Sequence, residues 1–82
     1  MSTSTDICEM DIQKKLGHNI KSIRQNQNIS QEKLAHLSDL DRTYISSIEK
    51  GRRNISIVVL FKIAKALDVS IYEILKNIED GI

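Results

Sequence analysis

Arg42, Lys50, Arg52 and Arg53 set four cations on and just after one short stretch, and the side chains between them include Thr43, Ser46 and Ser47. Cations gathered in this way hold polyanions, because a phosphate contact depends on charge within a Debye length rather than on the net charge of a chain. The net charge is only +1, yet it is unevenly spread: residues 1–13 carry −3, 14–41 carry +2, 42–65 carry +5 and 66–82 carry −3. A solvated helix face is the plain alternative, but such a face more often shows long Glu and Lys pairs than threonine and serine. Small polar groups between arginines let a helix come close to a phosphate-bearing surface. Other chemistries find little support. His18, His36 and Cys8 are too few and too scattered for a metal centre, and one cysteine forms no internal disulfide. Ser46 and Ser47 lack a glycine-rich elbow or oxyanion motif, and no nucleophile–base pair or phosphate loop is visible. No enzyme, cofactor or small-molecule ligand is therefore expected.

The elements that must position these residues read as helices. Eighty-two residues allow one compact domain, and 40% hydrophobic against 28% charged residues suits a packed core. Proline is absent, glycine occurs three times, and two tyrosines and one phenylalanine are the only aromatics, which disfavours a small sandwich or barrel and predicts an all-α fold. Residues 11–27 place Ile12, Leu16, Ile20 and Ile23 at helical spacing, with Asp6 and Glu9 as an earlier cap and Asn26-Gln27-Asn28 as a stop. Ser30 caps a second helix over Gln31–Ser38 with Leu34, Ala35 and Leu37 inward. Asp41 caps a third, Arg42–Lys50, with Ile45 and Ile48 buried and Gly51 in the position after the C-cap. Beyond the connector Arg52-Arg53-Asn54-Ile55, Ser56 caps a fourth helix whose Leu60, Ile63, Ala64 and Leu67 point inward, ending at Asp68-Val69. Ser70 and Glu73 form a capping box for a fifth helix bearing Ile71, Ile74, Leu75 and Ile78. The expected organisation is an extension over 1–10, a compact five-helix domain over 11–78 and a tail over 79–82. The polar start Met1–Asp6 and the lack of a long apolar run argue against a secretory signal or a membrane span, leaving the cytoplasm as the expected location.

Taken together, Gln31 to Lys50 place a small residue, Ala35, where two short helices touch, Asp39 in the turn, and Ile45 and Ile48 beyond it. This arrangement resembles the helix-turn-helix of the phage repressor and Cro (XRE-type) family, from roughly Leu16 to Leu75. Gln31 strengthens the likeness, since family members commonly set that glutamine on the DNA backbone. The strings Leu40-Asp41-Arg42-Thr43-Tyr44-Ile45-Ser46 and Ile48-Glu49-Lys50-Gly51-Arg52-Arg53-Asn54-Ile55-Ser56 look most like the controller proteins of restriction-modification systems. Related prophage repressors and antitoxins share much of the pattern. The resemblance implies a lambda-repressor-like fold and a homodimer that binds a pseudo-palindromic operator in double-stranded DNA and activates or represses transcription. The alternative is an antitoxin-type or prophage repressor whose other main task is protein–protein interaction.

Carried onto this chain, the resemblance assigns base contacts to Arg42 and Thr43, at the start of the recognition helix, and to Ser46 and Ser47 one turn on; arginine grips guanine O6 and N7 with two bonds. Gln31, Tyr44, Lys50, Arg52, Arg53 and Asn54 are the backbone contacts, and one of Arg52 and Arg53 is a candidate for the minor groove. In activating relatives, acids like Glu32 and Asp39 meet RNA polymerase; solvated carboxylates explain them more simply. Asp39 stands where glycine is common, a position that asks for the left-handed region. Val58, Val59 and Phe61 replace polar residues common on the outer side of the fourth helix, so apolar surface is left over. The dimer seam is expected along Ile71, Ile74, Leu75 and Ile78, with the region around Ile7 and Met10, or a partner subunit, covering Val58, Val59 and Phe61.

Overall fold

The computed structural model describes residues 9–78, with side chains from residue 11 onward. Its helices are α1 (Glu9–Asn26), α2 (Gln31–Ser38), α3 (Arg42–Glu49), α4 (Ile57–Ala66) and α5 (Ile71–Leu75). There is no strand among the described residues, so the chain has the all-α, five-helix architecture read from its sequence. The bounds shift slightly: α1 already includes Glu9, α3 ends at Glu49 with Lys50 as its C-cap, and α5 stops at Leu75, leaving Ile78 beyond it. The roles expected for Asp6, Ile7, Cys8, the Met10 side chain and the tail from Glu79 lie outside the described residues.

Each of the last four helices begins with its side-chain cap. Ser30 Oγ accepts the Lys33 N–H at 3.0 Å, Asp41 Oδ2 that of Thr43 at 2.8 Å, Ser56 Oγ that of Val59 at 3.1 Å and Ser70 Oγ that of Glu73 at 3.2 Å. These bonds serve first-turn donors that have no partner within the helix. The helix ends repeat one solution. Asn28, Asp39, Gly51 and Asp68 all take left-handed φ, between 57° and 77°. The next residue then reaches back over the last turn: Ile29 N–H to Arg24 O at 3.1 Å, Leu40 to Ala35 O at 2.9 Å, Arg52 to Ser47 O at 3.0 Å and Val69 to Ala64 O at 3.0 Å. Three of these connectors share a three-residue pattern: a left-handed Asn or Asp, an aliphatic residue packed on the core, and a capping Ser or Asp. Asn28-Ile29-Ser30, Asp39-Leu40-Asp41 and Asp68-Val69-Ser70 thus each stop a helix, anchor the turn and start the next helix, the Schellman arrangement with its apolar contact.

Ile20, Leu34, Ile45, Ile48, Ile63, Leu67 and Ile74 are fully enclosed, so every helix contributes to one core. Contacts run α1 to α3 and α5, α2 to α3 and α4, and α4 to α5. Two inward assignments need correction. Leu37 is 46% exposed, and Ser38 is buried in its place with its Oγ donating to Leu34 O at 2.7 Å. At 3.6 residues per turn, Ser38 lies squarely under Leu34 and beside Ala35 whereas Leu37 falls on the flank. Ile12 is likewise exposed at the start of α1. Gly17, unremarkable in the sequence, proves structural: a Cβ there would collide with the Ile48 carbonyl oxygen and lie 2.9 Å from that of Glu49. Its missing side chain lets α1 rest directly on the carboxyl end of α3.

Candidate nucleic-acid interface

Helix α3 opens at Asp41 and exposes Arg42 and Thr43 on its first turn, with Ser46 and Ser47 half-buried one turn later. Its opposite side is closed by Ile45 and Ile48 in the core. Arg42 and Ser46 share one edge and Thr43 and Ser47 the next, at the four-residue spacing of a helix. The Asp41 carboxylate caps this end and no acid follows in the first turn, so Arg42 and Thr43 are the side chains the start of the helix shows to solvent. After α3, Lys50, Arg52, Arg53 and Asn54 are all exposed, and Gly51 is tucked against Lys14 of α1. The Arg53 guanidinium carbon stands 5.4 Å from the centroid of the half-buried Tyr44 ring, joining the connector to the helix.

Gln31 stands at the other end of α3 from Arg42. Its Nε2 donates to Glu49 Oε1 at 3.0 Å. Glu49 also accepts two bonds from Arg24, Nε to Oε2 at 2.7 Å and Nη2 to Oε1 at 3.0 Å, while Arg24 Nη1 donates to Ile29 O at 2.7 Å. The pair is buried, with side-chain exposures of 9% for Arg24 and 2% for Glu49. This network ties α1, the first connector, the start of α2 and the end of α3 into one unit. Neither Arg24 nor Glu49 was singled out in the sequence. Both left a signal there: Arg24 continues the apolar spacing of Leu16 and Ile20, and Glu49 continues that of Ile45, so opposite charges interrupt two inward stripes.

The C-terminal part departs from expectation. Ile74 is fully enclosed and Ile78 is 9% exposed, both within the protomer's own core, so neither is free to meet a partner. Packing of α5 on α1 and α4 encloses Ile74, and Asn19 Nδ2 ties α1 to this end of the chain by donating to Ile74 O at 2.8 Å and Lys76 O at 3.0 Å. Leu75 is exposed and Ile71 half-buried. The larger apolar exposure lies on α4, where Ile57 and Val58 are 66% and 61% exposed and Phe61 56%; Val59 packs partly on the core. Phe61 and Ile71 line one groove of about 480 Å³ between α4 and α5. Among the described residues no group of His, Cys, Asp and Glu is arranged to hold a metal, and no helix is long and apolar enough to cross a membrane.

A helix-turn-helix family model matches residues 20–74. Control protein C.SmaI of Serratia marcescens is 47% identical over 70 residues, covering 85% of this chain and 83% of its own. The crystal structure of the restriction-modification controller protein C.AhdI from Aeromonas hydrophila is 43% identical, covers 74% of this chain and 92% of its own, and superposes with a TM-score of 0.73. The controller protein C.Esp1396I, solved as a tetramer in complex with its natural 35 base-pair operator, is 45% identical with a TM-score of 0.70, covering 79% of this chain and 96% of its own. With α2 and α3 forming the paired helices and these likenesses running through most of both chains, this protein belongs to the XRE-type helix-turn-helix family, in the group of restriction-modification controller proteins.

Proposed function

We propose that this protein is a sequence-specific transcription regulator of a restriction-modification system, binding a pseudo-palindromic operator as a homodimer. The observation that carries this reading is the outward edge of α3, with Arg42 and Thr43 exposed on its first turn and Lys50, Arg52, Arg53 and Asn54 exposed after its last. Arg42, Thr43, Ser46 and Ser47 read base edges in the major groove, while Gln31, Tyr44, Lys50, Arg52, Arg53 and Asn54 hold the backbone on either side. No catalytic role is assigned. The likeness to the restriction-modification controller protein C.AhdI, and to C.Esp1396I as a tetramer on its natural operator, supports operator binding by more than one copy of the chain.

The homodimer is proposed to meet through Val58, Phe61 and Leu75, which are exposed on α4 and α5, together with the half-buried Ile71 beside them. Glu32 and Asp39, both exposed at the ends of α2, are the surface proposed for RNA polymerase. Such a regulator works in the cytoplasm, where its operator lies. Selection of bound sequences from random duplex DNA tests the whole reading. A two-fold symmetric motif is the expected result, and recovery of no common motif overturns it.

A further inference from the structure

Gln31 and Glu49 are 18 residues apart and belong to different helices, yet the Gln31 amide nitrogen lies 3.0 Å from Glu49 Oε1. A carboxylate paired with arginine has only lone pairs to offer, so the amide must present its nitrogen to it and not its oxygen. Glu49 is itself held: both its oxygens are occupied by Arg24, whose remaining nitrogen Nη1 is anchored on Ile29 O. The Gln31 nitrogen carries two hydrogens and Glu49 takes one. The Gln31 side chain is half-buried, so part of it stays open to solvent.

We propose that Glu49 is a positioning residue for operator binding: by fixing the Gln31 amide it makes Gln31 a donor to a backbone phosphate. With the amide reversed, a carbonyl oxygen would face the phosphate and repel it. Arg24 serves the same end, neutralising a carboxylate that would otherwise stand buried and negative near a polyanion. The inference rests on the proposed operator binding and specifies how one contact within it is built.

The test is a double-mutant cycle on the selected operator, using Gln31→Ala, Glu49→Gln and the pair. Gln31→Ala is expected to weaken binding about tenfold, the scale of one hydrogen bond to a charged group. Glu49→Gln is expected to weaken binding in the wild-type background and to have no further effect once Gln31 is alanine. Equal losses in both backgrounds would show that Glu49 only supports the fold and overturn the proposal. Replacing single phosphates by methylphosphonates supplies a second readout: one position per half-site should cost the wild type affinity and cost Gln31→Ala none. Should Glu49→Gln not fold, side-chain amide exchange in the unaltered protein decides. One Gln31 side-chain proton is expected to be protected in the free protein and the other to become protected on the operator; both exchanging as fast as those of exposed Gln25 would overturn the proposal. Absence of DNA binding by the wild type would instead remove the operator reading itself.

Discussion

The guanidinium carbon of Arg53 lies 5.4 Å from the centroid of the Tyr44 ring, so a residue of the recognition helix holds one of the connector. Tyr44 is half-buried against the core while Arg53 is exposed, which makes the ring a fixed platform and the cation the mobile partner. An arginine so placed loses less freedom on meeting a phosphate than one ranging through solvent, and the stacking itself contributes about 0.5–1 kcal/mol at an exposed site.

Arg52 and Arg53 are both expected on the DNA backbone. Replacing both by glutamine should therefore reduce the slope of log affinity against log salt by about two for each bound subunit. Tyr44→Leu should weaken binding by at most a few-fold, and the part of that loss that comes from stacking on Arg53 should be absent when Arg53 is already glutamine. Titrations over a range of salt concentrations check both. An unchanged slope would place the two arginines away from the duplex.

Arg42 stands exposed on the first turn of α3, next to the capping Asp41. Arg42→Ala is expected to cost about 1–3 kcal/mol on the operator and to relax preference at one base pair in each half-site. Binding to an operator series with single base-pair changes measures this. Equal losses on specific and random DNA would reassign Arg42 to a phosphate.

Gly17 gives a prediction of stability. Alanine in the middle of a helix normally gains about 1 kcal/mol over glycine. Here its Cβ would strike the Ile48 carbonyl oxygen, so α1 and α3 must separate and the Arg24–Glu49 pair must stretch. Gly17→Ala is expected to destabilise the protein by about 1–3 kcal/mol in denaturant titration, the reverse of the propensity trend.

What was legible in the sequence follows from how local each signal is. Ser30, Asp41, Ser56 and Ser70 are legible as caps and serve as caps, since a cap depends only on the next three residues. Asp39 is legible as a turn residue able to visit the left-handed region, and its φ is 59°. The Arg24–Glu49 pair was missed because it joins positions 25 apart, and each member alone looks like a flaw in an apolar stripe. Gly17 was missed for the same reason, its constraint being the backbone of another helix. The enclosure of Ile74 and Ile78 is not legible because the sequence pattern gives the side of a helix that is apolar but not how many neighbours share it. Packing of α1 and α4 on that side uses up Ile74, and Ile78 beyond the helix joins the same core.

That enclosure changes which substitution tests the dimer. Ile74→Asp would put a carboxylate into an enclosed apolar site and is expected to unfold the protomer, at a cost of more than about 4 kcal/mol, without informing on association. Phe61 is 56% exposed and shares a groove with Ile71, so Phe61→Asp places the charge in solvent when the protomer is alone. Its helical content should stay near that of the wild type, and its melting temperature should fall only by what dimerisation contributes. In a dimer closed through α4 and α5 the same charge is buried beside its own symmetry mate, where like charges and lost apolar contact both oppose association. Sedimentation should therefore show monomers, and operator binding should weaken, because two-fold pairing is what sets the recognition helices about 34 Å apart, one DNA turn. A folded Phe61→Asp protein that remains dimeric would move the seam off this face.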